Sequence, residues 1–272
     1  MKDMYSFNSN QEELDIFYEQ VINTYKNILE KVGLADKTFL TFASGGIFSK
    51  YSHEFQTVCK NGEDIIYVNR EKNIAVNKEV FNEKVLADLN LNKDDLGEVK
   101  SIEVANIFKL GTKFSKALGL LYTDRKGKKK EVVMGCYGFG PSRAMGTIVE
   151  SYNDKDGIIW PENVSPYKYH LIDITTQKEN RKKAQNLYKQ LITNNVEVLY
   201  DDRNDKTPGG KFAEADLIGC TYRLVISDRT LLDNKIELKR RDGNETQPKS
   251  RIKYPFKKDY NLSTLYVYLL YS

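Results

Sequence analysis

The chain has 272 residues, a formal charge of +4, and 40% hydrophobic against 29% charged residues. That length allows one large or two ordinary domains with a proper core, and no apolar run approaches the roughly 20 residues that span a bilayer. Three scattered cysteines (Cys59, Cys136, Cys220) and only two histidines leave no disulfide framework and no histidine-rich metal site, so reduced thiols in a cytoplasmic protein are expected.

Ser9 and Glu12 form a capping-box pattern. Leu14, Phe17, Tyr18, Val21, Tyr25, Ile28, Leu29 and Val32 follow at helical spacing, and Gly33 stops the helix. Thr38–Ala43 reads as a strand and Ser44–Gly45–Gly46 as a turn. Phe55–Cys59 and Ile65–Val68 read as short strands around an Asn61–Gly62 turn. The interval Asn69–Val99 is polar, with helical stretches and a break at Gly97. Ile102–Lys109 and Leu118–Tyr122 read as strands, and Asp124–Lys130 as a charged turn around Gly127.

Glu131–Glu150, EVVMGCYGFGPSRAMGTIVE, is the most distinctive stretch. Val132–Cys136 is strand-like. Gly135, Gly138 and Gly140 are expected to clear one face for a backbone or a flat ligand. Pro141 suits a first helical position, and Met145, Ile148 and Val149 take buried spacing. Arg143 then falls in the first turn, where the helix dipole disfavours a cation and an anion would reverse the sign. Either a phosphate meets both the guanidinium and the helix end, or Arg143 is a solvated arginine beside a tight turn.

Pro161 and Pro166 bracket a linker. Tyr169–Ile174, a helix with a Thr176/Glu179 capping box, Val196–Tyr200, a helix over Lys211–Ile218 stopped by Gly219, Tyr222–Ser227 and Lys235–Arg240 follow. This order predicts an α/β unit with a mostly parallel sheet. From Lys168 onward there are 20 Lys and Arg against 14 Asp and Glu, with 22 against 24 before it, so a polyanion partner is expected on the second part. Leu262–Tyr271 is apolar and tyrosine-rich and suits a terminal helix or an edge strand.

GCYGFGPSR resembles motif 3 of class II aminoacyl-tRNA synthetases, in the form found in the bacterial-type prolyl-tRNA synthetase family. Glu103–Ser115, Ser52–His53–Glu54–Phe55 and Asp201–Gly219 resemble three further signatures of that family, in the same order. The resemblance implies a partial class II catalytic domain on an antiparallel sheet over residues 1–162, with the editing insertion absent or vestigial near 69–99. It implies an anticodon-binding domain over 163–272 with a divergent tail from Gln247. Met1–Phe7 resembles the end of motif 2, so the chain is expected to be a C-terminal portion without motif 1, inactive by itself.

By the same resemblance the reaction is ATP-dependent activation of proline and its transfer to tRNA(Pro), with ATP and Mg²⁺ as cofactors. No metal ligands are expected from the protein. The complete enzyme is expected to be a cytoplasmic homodimer without membrane contact. Arg143 is the expected catalytic residue, binding the γ-phosphate, with Gly138, Gly140 and Ser142 completing the ATP site. Asp3, Tyr5, Ser52, His53, Asn106 and Cys136 are expected in the proline pocket. Asn106 stands where relatives commonly carry histidine, and Phe48–Ser49 where they carry two glycines. Arg203, Lys211 and Phe212 are expected at the anticodon, against a salt-bridged turn in which Arg203 pairs with Asp202 or Asp205. The alternative function is a tRNA-binding module without catalysis. A nucleotide-binding oxidoreductase is not supported, since no βαβ fingerprint follows the glycines.

Overall fold

The computed structural model describes residues 1–243 and 250–253. Expectations for the rest of the tail, Leu262–Tyr271 included, lie outside the described residues. The chain divides into two compact units, Met1–Ser151 and Tyr152–Ser272.

The first unit runs β1 (Lys2–Asn8), α1 (Gln11–Lys31), β2 (Thr38–Ser44), β3 (Tyr51–Val58), β4 (Asp64–Asn69), β5 (Ile74–Asn77), α2 (Glu83–Asp88), β6 (Gly97–Gly111), α3 (Lys113–Leu118), β7 (Leu121–Thr123), β8 (Lys129–Glu131), β9 (Val133–Phe139) and α4 (Pro141–Ser151). Seven strands form one sheet in the order β1-β9-β6-β3-β2-β5-β4, and β4 also pairs with the first residues of β6. Every pairing is antiparallel except β2–β5.

Helix α1 buries Leu14, Tyr18, Val21, Ile22, Tyr25 and Leu29, each such side chain contributing about 1.5–3 kcal/mol on burial. Tyr25 packs against Phe55 and Phe139 at 5.5 and 5.8 Å between ring centroids, and Phe17 against Tyr137 at 5.6 Å. The helix cap is Asn10 rather than Ser9: its side chain accepts from Glu13 N at 2.9 Å, while Glu13 Oε2 accepts from Ser9 N at 2.8 Å. Gly33 ends the helix with φ +77°.

Several expected elements differ. β3 and β4 are not a hairpin: they do not pair with each other, and each instead pairs with β6. The polar interval 69–99 holds β5, whose four residues are fixed by parallel pairing with β2. Leu118 ends a helix instead of opening a strand. On α4 the buried face is Ala144, Thr147 and Ile148, while Met145 is exposed.

The second unit runs β10 (Asn153–Asp154), β11 (Gly157–Ile158), β12 (Tyr169–Asp173), α5 (Lys178–Thr193), β13 (Val198–Asp201), α6 (Pro208–Ile218), β14 (Tyr222–Ile226), α7 (Asp228–Leu232), β15 (Lys235–Arg240) and β16 (Ser250–Lys253). Its five-stranded sheet, β13-β12-β14-β15-β16, is mixed. β13, β12 and β14 are parallel, as the β-α-β order requires, whereas β15 and β16 return antiparallel. Tyr169, Leu171, Ala184, Leu187, Leu191, Val198, Leu224 and Ile236 form its core. The Thr176/Glu179 capping box does not form. Thr176 donates both N–H and hydroxyl to Asp228 Oδ2, at 2.9 and 2.6 Å, and α5 starts at Lys178 without a side-chain cap.

Candidate active site

Strand alternation decides which expected residues meet. Register places Asp3, Gly138, Asn106 and Glu54 in one row across four strands, and Tyr5, Cys136 and Phe108 in the next. Residues two apart on a strand share a face, so these rows and Ser52 lie on one side of the sheet. The opposite side receives α1. Tyr5 is exposed beside the half-buried Cys136, whose thiol pushes the Tyr5 hydroxyl's pKa up. Asn106 Nδ2 donates to Glu103 Oε1 at 2.7 Å. Ser52 is buried and donates to Ser44 O at 2.8 Å, which fixes the turn before β3.

His53 is not on that face. It sits one residue from Ser52, on the α1 side, where Tyr18 Oη lies 2.9 Å from its Nδ1 and also donates to Ile107 O at 3.1 Å. Burial, aided by the Lys109 charge, pulls its pKa down to about 4, so the ring is neutral at pH 7. It braces the sheet from behind.

The glycines divide the same way. Gly138 faces the candidate pocket: a Cβ there would lie 2.7 Å from Asn106 Oδ1 and from Met1 Cε. Gly135, three residues earlier on the strand, faces α1, where a Cβ would meet Tyr137 Oη at 2.2 Å and Leu14 Cδ1 at 2.9 Å. It clears room for core packing, not for a ligand. Gly140 lies under the Arg143 side chain, whose Cβ and Cδ would be 3.3 and 3.4 Å from an added Cβ.

Arg143 and Ser142 are both exposed in the first turn of α4. Arg143 Nε donates to Glu103 O at 2.6 Å, and Nη2 pairs with Glu63 Oε1. Nothing in the sequence around Glu63 signalled that partner. Glu54 in the row has two carboxyl neighbours, Glu103 and Asp64. Burial pushes Glu54 up to about 7, with Glu103 and Asp64 adding to the rise, while Gln56 Nε2 and Asn77 Nδ2 donate to its Oε2 at 3.0 and 3.2 Å. Burial likewise raises Glu103, opposed by the Asn106 hydrogen bond and the Arg143 charge. Gln56 Nε2 also donates to Asp64 Oδ2 at 2.7 Å. Among the described residues no three His, Cys, Asp or Glu side chains form a metal cage.

In the second unit the three expected anticodon residues differ in exposure. Lys211 is buried at 2% exposure, with Nζ donating to Asp173 O at 2.6 Å and Asp201 O at 3.1 Å. Its ammonium neutralises the carboxyl ends of β12 and β13. Arg203 forms a fork on Asp201, Nε to Oδ1 at 2.9 Å and Nη2 to Oδ2 at 2.8 Å, and reaches Glu214 Oε2 at 2.5 Å. Its partners are thus Asp201 and Glu214, not Asp202 or Asp205. Arg203's hydrogen bonds hold Asp201 down to about 2. Phe212 is half-buried, with the Arg223 guanidinium 4.9 Å from its ring centroid.

Comparison with known proteins follows this division. Residues 1–152 match the tRNA synthetase class II core domain (G, H, P, S and T), and residues 168–254 match an anticodon binding domain. A proline–tRNA ligase of Desulforamulus reducens is 45% identical over 150 residues, 55% of this chain and 26% of the relative. Those of Rickettsia canadensis and Rickettsia bellii are each 34% identical, covering 89% and 91% of this chain and 58% and 60% of their own length. The solved prolyl-tRNA synthetase of Cryptosporidium parvum, complexed with L-proline and AMP, aligns with a TM-score of 0.70 at 19% identity, over 98% of this chain and 49% of that one. At that identity the likeness is one of fold. The chain therefore spans between 26% and 60% of the length of these relatives. With residues 1–152 matched by the catalytic core, the chain belongs to the class II tRNA synthetases of the G, H, P, S and T group.

Proposed function

We propose that this chain carries the motif 3 side of a proline-activating site and the anticodon-binding domain of a proline–tRNA ligase. The observation that carries the reading is the row Asp3–Gly138–Asn106, flanked by Tyr5 and Cys136, with Arg143 on the first turn of the helix that leaves the same strand. In the reaction, the proline carboxylate attacks the α-phosphate of ATP, a phosphate–oxygen bond breaks, and pyrophosphate leaves. The prolyl group then passes to a tRNA hydroxyl and AMP departs. Such chemistry needs positioning and charge neutralisation more than acid-base groups.

Arg143 holds the γ-phosphate, where the guanidinium and helix end add. Gly138 and Gly140 keep the ATP floor low, beside Ser142. Asp3, Tyr5, Ser52, Asn106 and Cys136 bound the proline pocket, with His53 supporting it from the far side of the sheet. Mg²⁺ typically binds through one or two carboxylates plus phosphate oxygens. Glu103, beside Arg143, suits that mode better than a cage of protein ligands. Bound there, the ion supplies charge neutralisation on the polyphosphate. Arg203 and Phe212 meet the anticodon, Lys211 acting only by holding the strand ends beneath them. The enzyme works as a cytoplasmic homodimer.

Titration of the chain with tRNA(Pro) and an anticodon-swapped control tests the reading. Binding is expected to fall steeply with salt and to favour tRNA(Pro), at about 1–3 kcal/mol per bidentate base contact. Phe212→Ala should reduce that preference. Equal affinity for both RNAs at every salt concentration would contradict it.

A further inference from the structure

The turn between β3 and β4 lies along α4 and is tied to it at two points. Asn61 Nδ2 donates to Glu150 Oε2 at 2.6 Å near the end of the helix, and Glu63 Oε1 pairs with Arg143 Nη2 in the first turn. Arg143 and Glu150 are seven residues apart, so about two turns separate them on one stripe of the helix. The turn itself is tight. Cys59 N donates to Lys100 O and Gly62 N to Cys59 O, both at 3.0 Å. A Cβ on Gly62 would lie 2.4 Å from Ser101 O, so only glycine fits against β6. The backbone that carries Glu63 is thus held at a fixed place beside the first turn of α4.

Both side chains remain open to water, Arg143 at 49% and Glu63 at 53%. An ion pair so exposed is weak and can be exchanged for a better anion. Arg143 Nε is already committed to Glu103 O at 2.6 Å, which fixes the guanidinium plane and leaves the Nη2 edge for Glu63 or a competitor. A triphosphate brings more charge and several acceptors to the same edge and to the same helix end.

We propose that Glu63 is a displaceable part of the nucleotide site: its carboxylate occupies the phosphate position on Arg143 until a nucleoside triphosphate replaces it. The inference rests on the reading of Arg143 as the phosphate ligand. Glu63 keeps the arginine oriented in the empty site and lowers the affinity for the triphosphate, since displacing it opposes binding and its charge repels the polyphosphate.

The test is calorimetric titration of the full chain with ATP, inorganic tripolyphosphate and adenosine, for wild type, Glu63→Gln, Arg143→Ala and the double variant. Glu63→Gln should lower the Kd for ATP and tripolyphosphate about two- to fivefold, the range of an exposed pair, and leave adenosine unchanged. In the Arg143→Ala background the same substitution should have no effect. Unchanged or weaker ATP binding by Glu63→Gln, with Arg143→Ala still impaired, overturns the Glu63 proposal alone. No measurable ATP binding by wild type, or no loss in Arg143→Ala, overturns the Arg143 reading and the proposal with it. A gain that extends to adenosine means a general change of the turn and also overturns it.

Discussion

Replacing Lys211 by methionine separates a structural lysine from an RNA contact. Methionine keeps most of the aliphatic stem and removes the ammonium. Two backbone carbonyls, Asp173 O and Asp201 O, then lose a charged donor at 2.6 and 3.1 Å, each costing about 1–3 kcal/mol when left unpaired in the interior. The Asp201 carboxylate, 3.5 Å from Nζ, keeps its fork to Arg203, so the full effect of stranding a buried charge, about 3–5 kcal/mol, is not reached. No longer burying an ammonium offsets part of the loss. The expected net destabilisation is about 3 kcal/mol. Trp160, the single tryptophan, donates Nε1 to Ile218 O at 3.0 Å at the end of α6, so its fluorescence in a urea titration reports this unit. A loss below about 1 kcal/mol, or intact stability with selective loss of tRNA binding, would refute the reasoning and return Lys211 to the anticodon surface.

Glu54 is half-buried with its pKa raised from 4.5 to about 7, so its contribution is present below pH 4.5 and is lost as pH rises through 7, by roughly 3 kcal/mol in all. Glu54→Gln should flatten this decline, seen as a difference in unfolding free energy between wild type and variant that grows from pH 4.5 to 7. A constant difference would contradict the burial argument. Gly135→Ala forces a Cβ to within 2.2 Å of Tyr137 Oη and disturbs its 3.0 Å hydrogen bond with Ser6; thermal melting should show a loss of about 1–3 kcal/mol. Gly146→Ala, on α4 with nothing within 4 Å of the added Cβ, should instead stabilise by up to about 1 kcal/mol.

The parts of this fold that were legible in the sequence are those with a local signal. The α1 stripe repeats every 3.6 residues, and Pro141 and Gly219 mark helix ends through backbone chemistry alone. β5 was missed because Ile74–Asn77 is too short to show alternation and exists only through its pairing with β2. The α1 cap slipped by one residue because Ser9 and Asn10 are both good caps, and Glu13, not Glu12, reaches back. In the site, the resemblance puts both Ser52 and His53 in the pocket, although consecutive strand residues cannot share a face. That signal was present and sufficed to set His53 apart. The burial of Lys211 and the pairing of Glu63 with Arg143 depend on where distant strands end, and neither has a local signature.

The central claim is that these residues activate proline. The most direct measurement is proline-dependent ATP–pyrophosphate exchange by a chimera in which this chain replaces the matching 261-residue segment of the Rickettsia bellii ligase. The account predicts exchange that requires proline and falls about 10²- to 10³-fold in Arg143→Ala, the usual effect of losing one preorganised charge contact. A folded chimera that binds tRNA(Pro) yet exchanges pyrophosphate no faster with proline than without it would contradict the claim.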